Sequence, residues 1–147
     1  MTDFEALKRR SLLQVLFKAA RLANEEAIGR VREALGDDRI RVTHTNLFPH
    51  IPFEGIRLTA LAARLGISKQ AVQQLVDELD ALGVLERRPD PADGRARLIC
   101  WTERGRAGLV HGIGILDGLA AEVAADVDAD DLAATHRVLL AMVDRWE

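Results

Sequence analysis

The chain is poor in the residues that carry most covalent and metal chemistry: it has one cysteine and no tyrosine among 147 residues. Cys100 has no second thiol with which to close an internal disulfide, which fits a reducing, cytoplasmic setting. No HxxxH or CxxC spacing offers a pair of metal ligands. There is neither a GxSxG nucleophile turn nor a glycine-rich loop that would cradle phosphate. These gaps argue against an enzyme and against a resident cofactor or metal. No apolar run approaches the roughly 20 residues that cross a bilayer. The opening MTDFEALKRRSLLQ carries acids and no small-residue cleavage site, so neither a membrane partner nor a signal peptide is expected.

What is present is the balance of a folded protein, 48% apolar and 29% charged residues, on a chain long enough for one domain with its own core. The net charge of −3 is unevenly spread. Residues 57–106 carry nine Arg/Lys against seven Asp/Glu, residues 107–147 two against eight, and residues 1–56 nine against eight. The distribution, more than the sum, decides where a polyanion can approach. Base is enriched in the middle and acid at the C-terminal end.

Residues 4–35 lack proline and repeat apolar side chains at helical spacing, among them Leu7, Leu12, Val15, Ala19 and Leu22. They predict one long helix ended near Gly36. Thr43 reads as the N-cap of a short helix that stops before Pro49, and Thr59 as the cap of a helix running to Leu65. Gly66 supplies the turn after it. Ser68 caps a helix from Lys69 to about Leu82, closed by Gly83. Val84–Arg88 and Ala96–Trp101 read as strands joined by PDPADG. Thr102 caps a second long helix reaching about Val127. Asp128 or Asp131 begins a last one, with Leu132, Val138, Leu139, Met142, Val143 and Trp146 along one side.

The central order of helix, tight turn, polar-faced helix and basic hairpin is that of a winged helix-turn-helix. From Lys69 onward, Val72, Leu75, Val76, Leu79 and Leu82 share one helical face, and Gln70, Gln73, Gln74 and Asp77 the opposite one. The apolar face calls for packing on Leu61, Ala62, Leu65 and Ile67. The glutamine face is left for a partner, and an amide that donates and accepts at once suits the edge of a base. Ser68, Lys69 and the free amides of the first turn attract phosphate. Asp77, Glu78 and Asp80 repel it, so the N-terminal half is expected to enter a groove. The hairpin adds Arg87, Arg88, Arg95 and Arg97. Arg95 and Arg97 share a face, fit for a minor groove or a phosphate ridge, and Asp93 is placed to hold the Arg95 guanidinium. A solvated amphipathic helix beside an incidentally charged turn is the bland reading of both features. Their conjunction outweighs it.

The run LTALAARLGISKQAVQQLVDELDALGVLERRPDPADGRARLICWTERG resembles the core of the MarR family of transcriptional regulators. The marks are the LGISKQ turn, the GxxERxPDPxDxR wing with Asp93 and Arg95, and the threonine-initiated helix at Thr102. The resemblance implies a mainly α fold with a small β-wing, in which residues 1–147 form one domain. Residues 41–106 would be the winged helix-turn-helix, and residues 1–40 and 107–147 the helices of an obligate homodimer. It also implies binding to pseudo-palindromic double-stranded DNA, with release by a small, often aromatic, molecule between dimer base and winged region. On that basis Ser68, Lys69, Gln70, Gln73, Gln74, Arg88, Asp93, Arg95 and Arg97 are the expected DNA-binding residues. Residues 41–57 match no common consensus of the family.

Several residues carry more than one reading. Where residues 43–50 meet the glycine-rich helix after Thr102, His44, Leu47, Phe48, His111 and Ile113 are the expected lining of a pocket for an aromatic or phenolic effector. His44 and His111 with Glu25 or Glu26 would make a zinc site, turning the protein into a metal-responsive regulator of the same fold; pocket-lining or capping histidines are the simpler reading. Cys100 reads as a buried structural thiol rather than a redox switch. Gly108/Gly112 and Gly114/Gly118 would let another helix approach closely, or mark an exposed or a bendable face. A winged domain used only for protein contact is the rival from another class. It predicts a neutral or acidic recognition helix and no arginine-rich wing.

Overall fold

The fold, described for residues 3–147 by a computed structural model, is seven α-helices, one short 3-10 turn and a three-stranded sheet. Helix α1 spans Phe4–Arg10, α2 Leu12–Leu35 and α3 Val42–Thr45. The 3-10 turn Phe48–His50 leads into β1 (Ile56–Arg57) and α4 (Leu58–Leu65). Then come α5 (Lys69–Ala81), β2 (Leu85–Asp90), β3 (Asp93–Trp101), α6 (Glu103–Ala124) and α7 (Ala129–Trp146).

The long N-terminal helix predicted from periodicity is two helices. Ser11 adopts an extended conformation between them (φ −85°, ψ 114°) and serves as the boundary of both. Apolar spacing continues through this break, which is why periodicity alone does not reveal it. Two caps also fall elsewhere than expected: α3 starts after Arg41 rather than Thr43, and α4 after Arg57 rather than Thr59. Ser68, Thr102 and Asp128 cap as expected, their side-chain oxygens accepting the amides of Ala71, Gly105 and Asp130.

The helix-turn-helix follows from local chemistry. Gly66 takes a left-handed conformation (φ 65°), ends α4 and lets the chain reverse into Ser68. Helix α5 then buries Val72, Val76 and Leu79 against Leu61 and Ala62 of α4 and Leu85 of β2. Leu65 packs at the margin of this core, while Ile67, expected inside it, is exposed. Strands β2 and β3 form the antiparallel wing, with Leu85 opposite Trp101 and Pro89 opposite Arg97. Strand β1, absent from the sequence reading, adds to the other edge of β3 through Ile56 and Ile99.

Trp101 joins the wing to the segment before α4. Its indole N–H donates to the Ile51 carbonyl at 3.0 Å, and its ring meets Phe48 edge-on at 5.1 Å. Buried Gly105 seats α6 against the core, because a Cβ there would overlap the Val84 carbonyl. Beyond this root α6 leans on α2, and α7 touches the rest of the chain only marginally. By length and composition alone, helix α6 is apolar enough to cross a membrane. Arg104, Arg106, Asp117 and Glu122 nevertheless interrupt its apolar character, and it is rooted in the winged core.

Candidate nucleic-acid interface and the adjoining cavity

The exposed face of α5 and the tip of the wing lie on the same winged unit. Ser68 Oγ accepts the Ala71 amide at 3.1 Å and fixes the first turn of α5. Lys69 and Gln70 beside it are exposed and make no side-chain hydrogen bond or ion pair among the described residues. Gln73 and Gln74 are turned along the helix: their amides donate to Asp77 at 2.9 Å and to Glu78 at 3.3 Å. Both are bonds an approaching base edge can replace.

The acids on this helix differ from the sequence reading. Arg87, on β2, reaches across to α5 and bonds Asp77 at 2.6 Å and Asp80 at 3.1 Å. Hydrogen bonds from Gln73 and Arg87 hold the Asp77 carboxyl below its ordinary range. The repulsion expected between the C-terminal half of α5 and phosphate is therefore largely cancelled from within, and Arg87 is committed to the helix.

In the wing, Arg95 and Arg97 are exposed and have no carboxylate partner among the described residues, so their full charge faces outward. Arg88 is exposed but engaged by Glu86, its Nε donating at 2.8 Å. Asp93 does not clamp the Arg95 guanidinium. Its Oδ1 accepts the Arg95 backbone amide at 3.1 Å and so shapes the turn. A different pair organises the base of the wing: Arg57 Nε donates to the buried Asp90 at 2.7 Å, and Asp90 also accepts the Ala92 amide at 2.8 Å. The amide and then the guanidinium hold the Asp90 carboxyl below its ordinary range. Sequence reading missed Arg57 because its partner lies 33 residues away across β1 and the wing.

Between α2 and α6 lies a cavity of about 1110 Å³. Ala20, Ala23 and Ala27 form one wall, and Gly108, Gly112 and Ile113 the other. Phe48 closes the side facing the winged unit, with Asn24, His111 and Arg104 as polar points. Phe48, His111 and Ile113 thus lie where a pocket was expected. His44 and Leu47 do not: both are buried, Leu47 in the main core. A Cβ on Gly108, Gly112, Gly114 or Gly118 would meet nothing within 4 Å, so these glycines leave space rather than admit a close helix within this chain.

His44 is instead spent on α5. The Arg41 amide donates to His44 Nδ1 at 3.1 Å, which leaves the proton on Nε2, and Nε2 donates to Glu78 Oε2 at 2.6 Å. The Arg41 guanidinium bonds the same carboxylate oxygen. The hydrogen bond from His44 first, then that from Arg41, hold the Glu78 carboxyl below its ordinary range against the opposing effect of burial. Among the described residues no group of three His, Cys, Asp or Glu side chains is placed to hold a metal ion. Cys100 is buried, and burial pushes its thiol up, away from the reactive thiolate.

The sequence pattern of the MarR family matches residues 52–96. No curated protein sequence matches the chain. Solved structures do. Apo MarR from E. coli superposes with a TM-score of 0.70 at 20% identity, over 90% of this chain and 96% of that one. CouR from Rhodococcus jostii RHA1, solved bound to p-coumaroyl-CoA, superposes with a TM-score of 0.67 at 21% identity, over 92% of this chain and 93% of that one. The transcriptional regulator Tm0710 from Thermotoga maritima reaches 26% identity with a TM-score of 0.59, over 89% and 93%.

Proposed function

We propose that the chain is a winged helix-turn-helix transcriptional regulator of the MarR type, working as a homodimeric, effector-responsive repressor on a pseudo-palindromic promoter site; the family pattern over residues 52–96 and the shared fold support this reading. The observation that carries the reading is the joint placement of a capped, exposed α5 N-terminus with Lys69 and Gln70 beside a wing whose Arg95 and Arg97 face outward. The first turn of α5 offers free amides and a lysine to phosphate, and the glutamines offer paired donor and acceptor to base edges. Arg95 and Arg97 reach the flanking minor groove or its phosphates, and Arg88 joins them if Glu86 gives way.

A second copy of this chain is the proposed cover for the terminal helices. They carry exposed apolar side chains far beyond what one protomer buries, among them Phe17 at 64% and Trp146 at 67%. Their charges are complementary: Arg9, Arg10 and Lys18 lie on α1 and the first half of α2 with no carboxylate partner among the described residues, against Asp126, Asp128, Asp130 and Asp131 around the start of α7, while Lys8 and Arg21 are paired locally to Glu5 and Glu25. A two-fold arrangement would set the two α5 helices about 34 Å apart, one turn of B-DNA.

The cavity is the proposed effector site. It lies between α2 and α6, reaches the winged unit through Phe48, and offers Arg104 and His111 to an acidic or phenolic group. That CouR was solved with p-coumaroyl-CoA supports a ligand with an apolar body here. Release requires only that the ligand bind better to a head spacing unsuited to DNA. The test is footprinting of the intergenic DNA next to the gene, followed by titration of the complex with salicylate and related phenolic acids. Protection of an inverted repeat and its loss on titration are expected; no protection of any duplex overturns the reading.

A further inference from the structure

A buried histidine tied to the recognition helix has no part in the function so far. His44 is 1% exposed and has both ring nitrogens occupied, Nδ1 by the Arg41 amide and Nε2 by Glu78. Glu78 sits on α5 one turn after Gln74 and accepts the Gln74 side-chain amide. On the far side, the residue after His44, Thr45, donates its hydroxyl to Asn24 of α2 at 2.9 Å, and Asn24 donates to Asn46 at 3.2 Å. One short segment therefore grips α2 with one edge and α5 with the other.

We propose that His44 is a positioning residue for base recognition: its Nε2–H, bonded to Glu78, sets the rotation of α5 and the direction of Gln74 relative to DNA. The inference rests on the DNA-binding reading of α5 and goes beyond it, since His44 never touches DNA. Three features carry it. The bond leaves the helix-turn-helix core and ties α5 to a segment outside it, a restraint separate from the packing of Val72, Val76 and Leu79 and from the Arg87 bridge to β2. The donor is oriented, because the Arg41 amide admits only one tautomer. The acceptor is shared, since Glu78 holds both His44 and Gln74, and a shift of one moves the other. A contact that served only to neutralise Glu78 would need no buried, oriented imidazole, since Arg41 already supplies the charge.

The experiment compares the full chain and its variants on two duplexes: one selected by the wild type from a random-sequence pool, and one of mixed sequence. Fluorescence anisotropy gives the ratio of the two affinities, and circular dichroism checks helicity. His44→Leu and Glu78→Ala are each expected to lower the ratio about tenfold, with the double variant no worse than either single one, as for two residues acting through one bond. His44→Gln keeps an N–H donor within reach of Glu78 and is expected to stay within about threefold of the wild type. If His44→Leu proves unfolded, Glu78→Ala and His44→Gln carry the test, because Glu78 is partly exposed. A full ratio in Glu78→Ala overturns the proposal, as do additive losses or a His44→Gln as poor as His44→Leu. Glu78→Ala binding both duplexes more tightly by the same factor would reduce Glu78 to a repelling charge. A wild type that selects no duplex removes the DNA reading itself, and the positioning role with it.

Discussion

At the scale of single residues, the value of a charge in this interface depends on whether it is already spent. Arg87 and Arg57 are spent on Asp77, Asp80 and Asp90, and Arg88 on Glu86, whereas Arg95 and Arg97 are not. Arg95→Ala is therefore expected to weaken binding to any duplex and to flatten the slope of log affinity against log salt by about 0.9, one phosphate contact. Binding measured across a salt series checks it; an unchanged slope and affinity would remove the wing from the interface. Gly105 makes a different kind of demand. Adding a Cβ drives it into the Val84 carbonyl, and backbone on both sides leaves little room to yield. Gly105→Ala should destabilise the fold by about 3 kcal/mol as an overpacked contact, read by urea denaturation. Gly112→Ala, where a Cβ meets nothing, serves as its control.

At the scale of elements, what was legible in the sequence was what local chemistry decides. Helix α5 and its turn could be read because Gly66, Ser68 and the Val72–Val76–Leu79 spacing are all local signals, and the structure bears them out. The break at Ser11 could not, since apolar period and good helix formers run through it. Nor could β1, two residues long and paired only with distant β3. The role of the 41–57 segment was hidden for the same reason: His44, Ile51 and Arg57 find their partners at Glu78, Trp101 and Asp90. Pocket lining was half legible, with Phe48, His111 and Ile113 at the cavity and His44 and Leu47 turned into the core. The bridge from β2 to α5 yields a prediction of its own. Arg87→Ala frees Asp77 and Asp80 on the glutamine face of α5, the face proposed to meet DNA, so it should weaken binding to selected and random duplexes alike, more than the loss of one outward-facing arginine. An Arg87→Ala variant with wild-type affinity on both duplexes would show that these acids lie outside the phosphate path.

At the scale of the whole molecule, the chain divides into a winged unit with its own core and a set of helices without one. The fully buried large side chains are Trp101, Leu47, Leu61, Leu79, Leu85, His44, Val72 and Val76, all in the winged unit or its α3 approach. Helix α7 contributes no buried residue, and Leu139, Val143 and Trp146 are open to solvent at 36%, 49% and 67%. An 18-residue helix in this state gains little from its own protomer, whereas most helical stability in proteins comes from packing an apolar face. The second copy proposed above would supply the missing packing, and stability would then depend on protomer concentration. The melting temperature should accordingly rise with protein concentration, and sedimentation should give a dimer at micromolar concentration. Leu139→Asp places a charge on the apolar face of α7 proposed to meet the second copy, where burial would make it costly. It is expected to yield monomers with an intact winged unit that bind a single half-site weakly and a full inverted repeat no better. A Leu139→Asp protein that remains dimeric and keeps its preference for the full repeat would place the interface on another face of these helices.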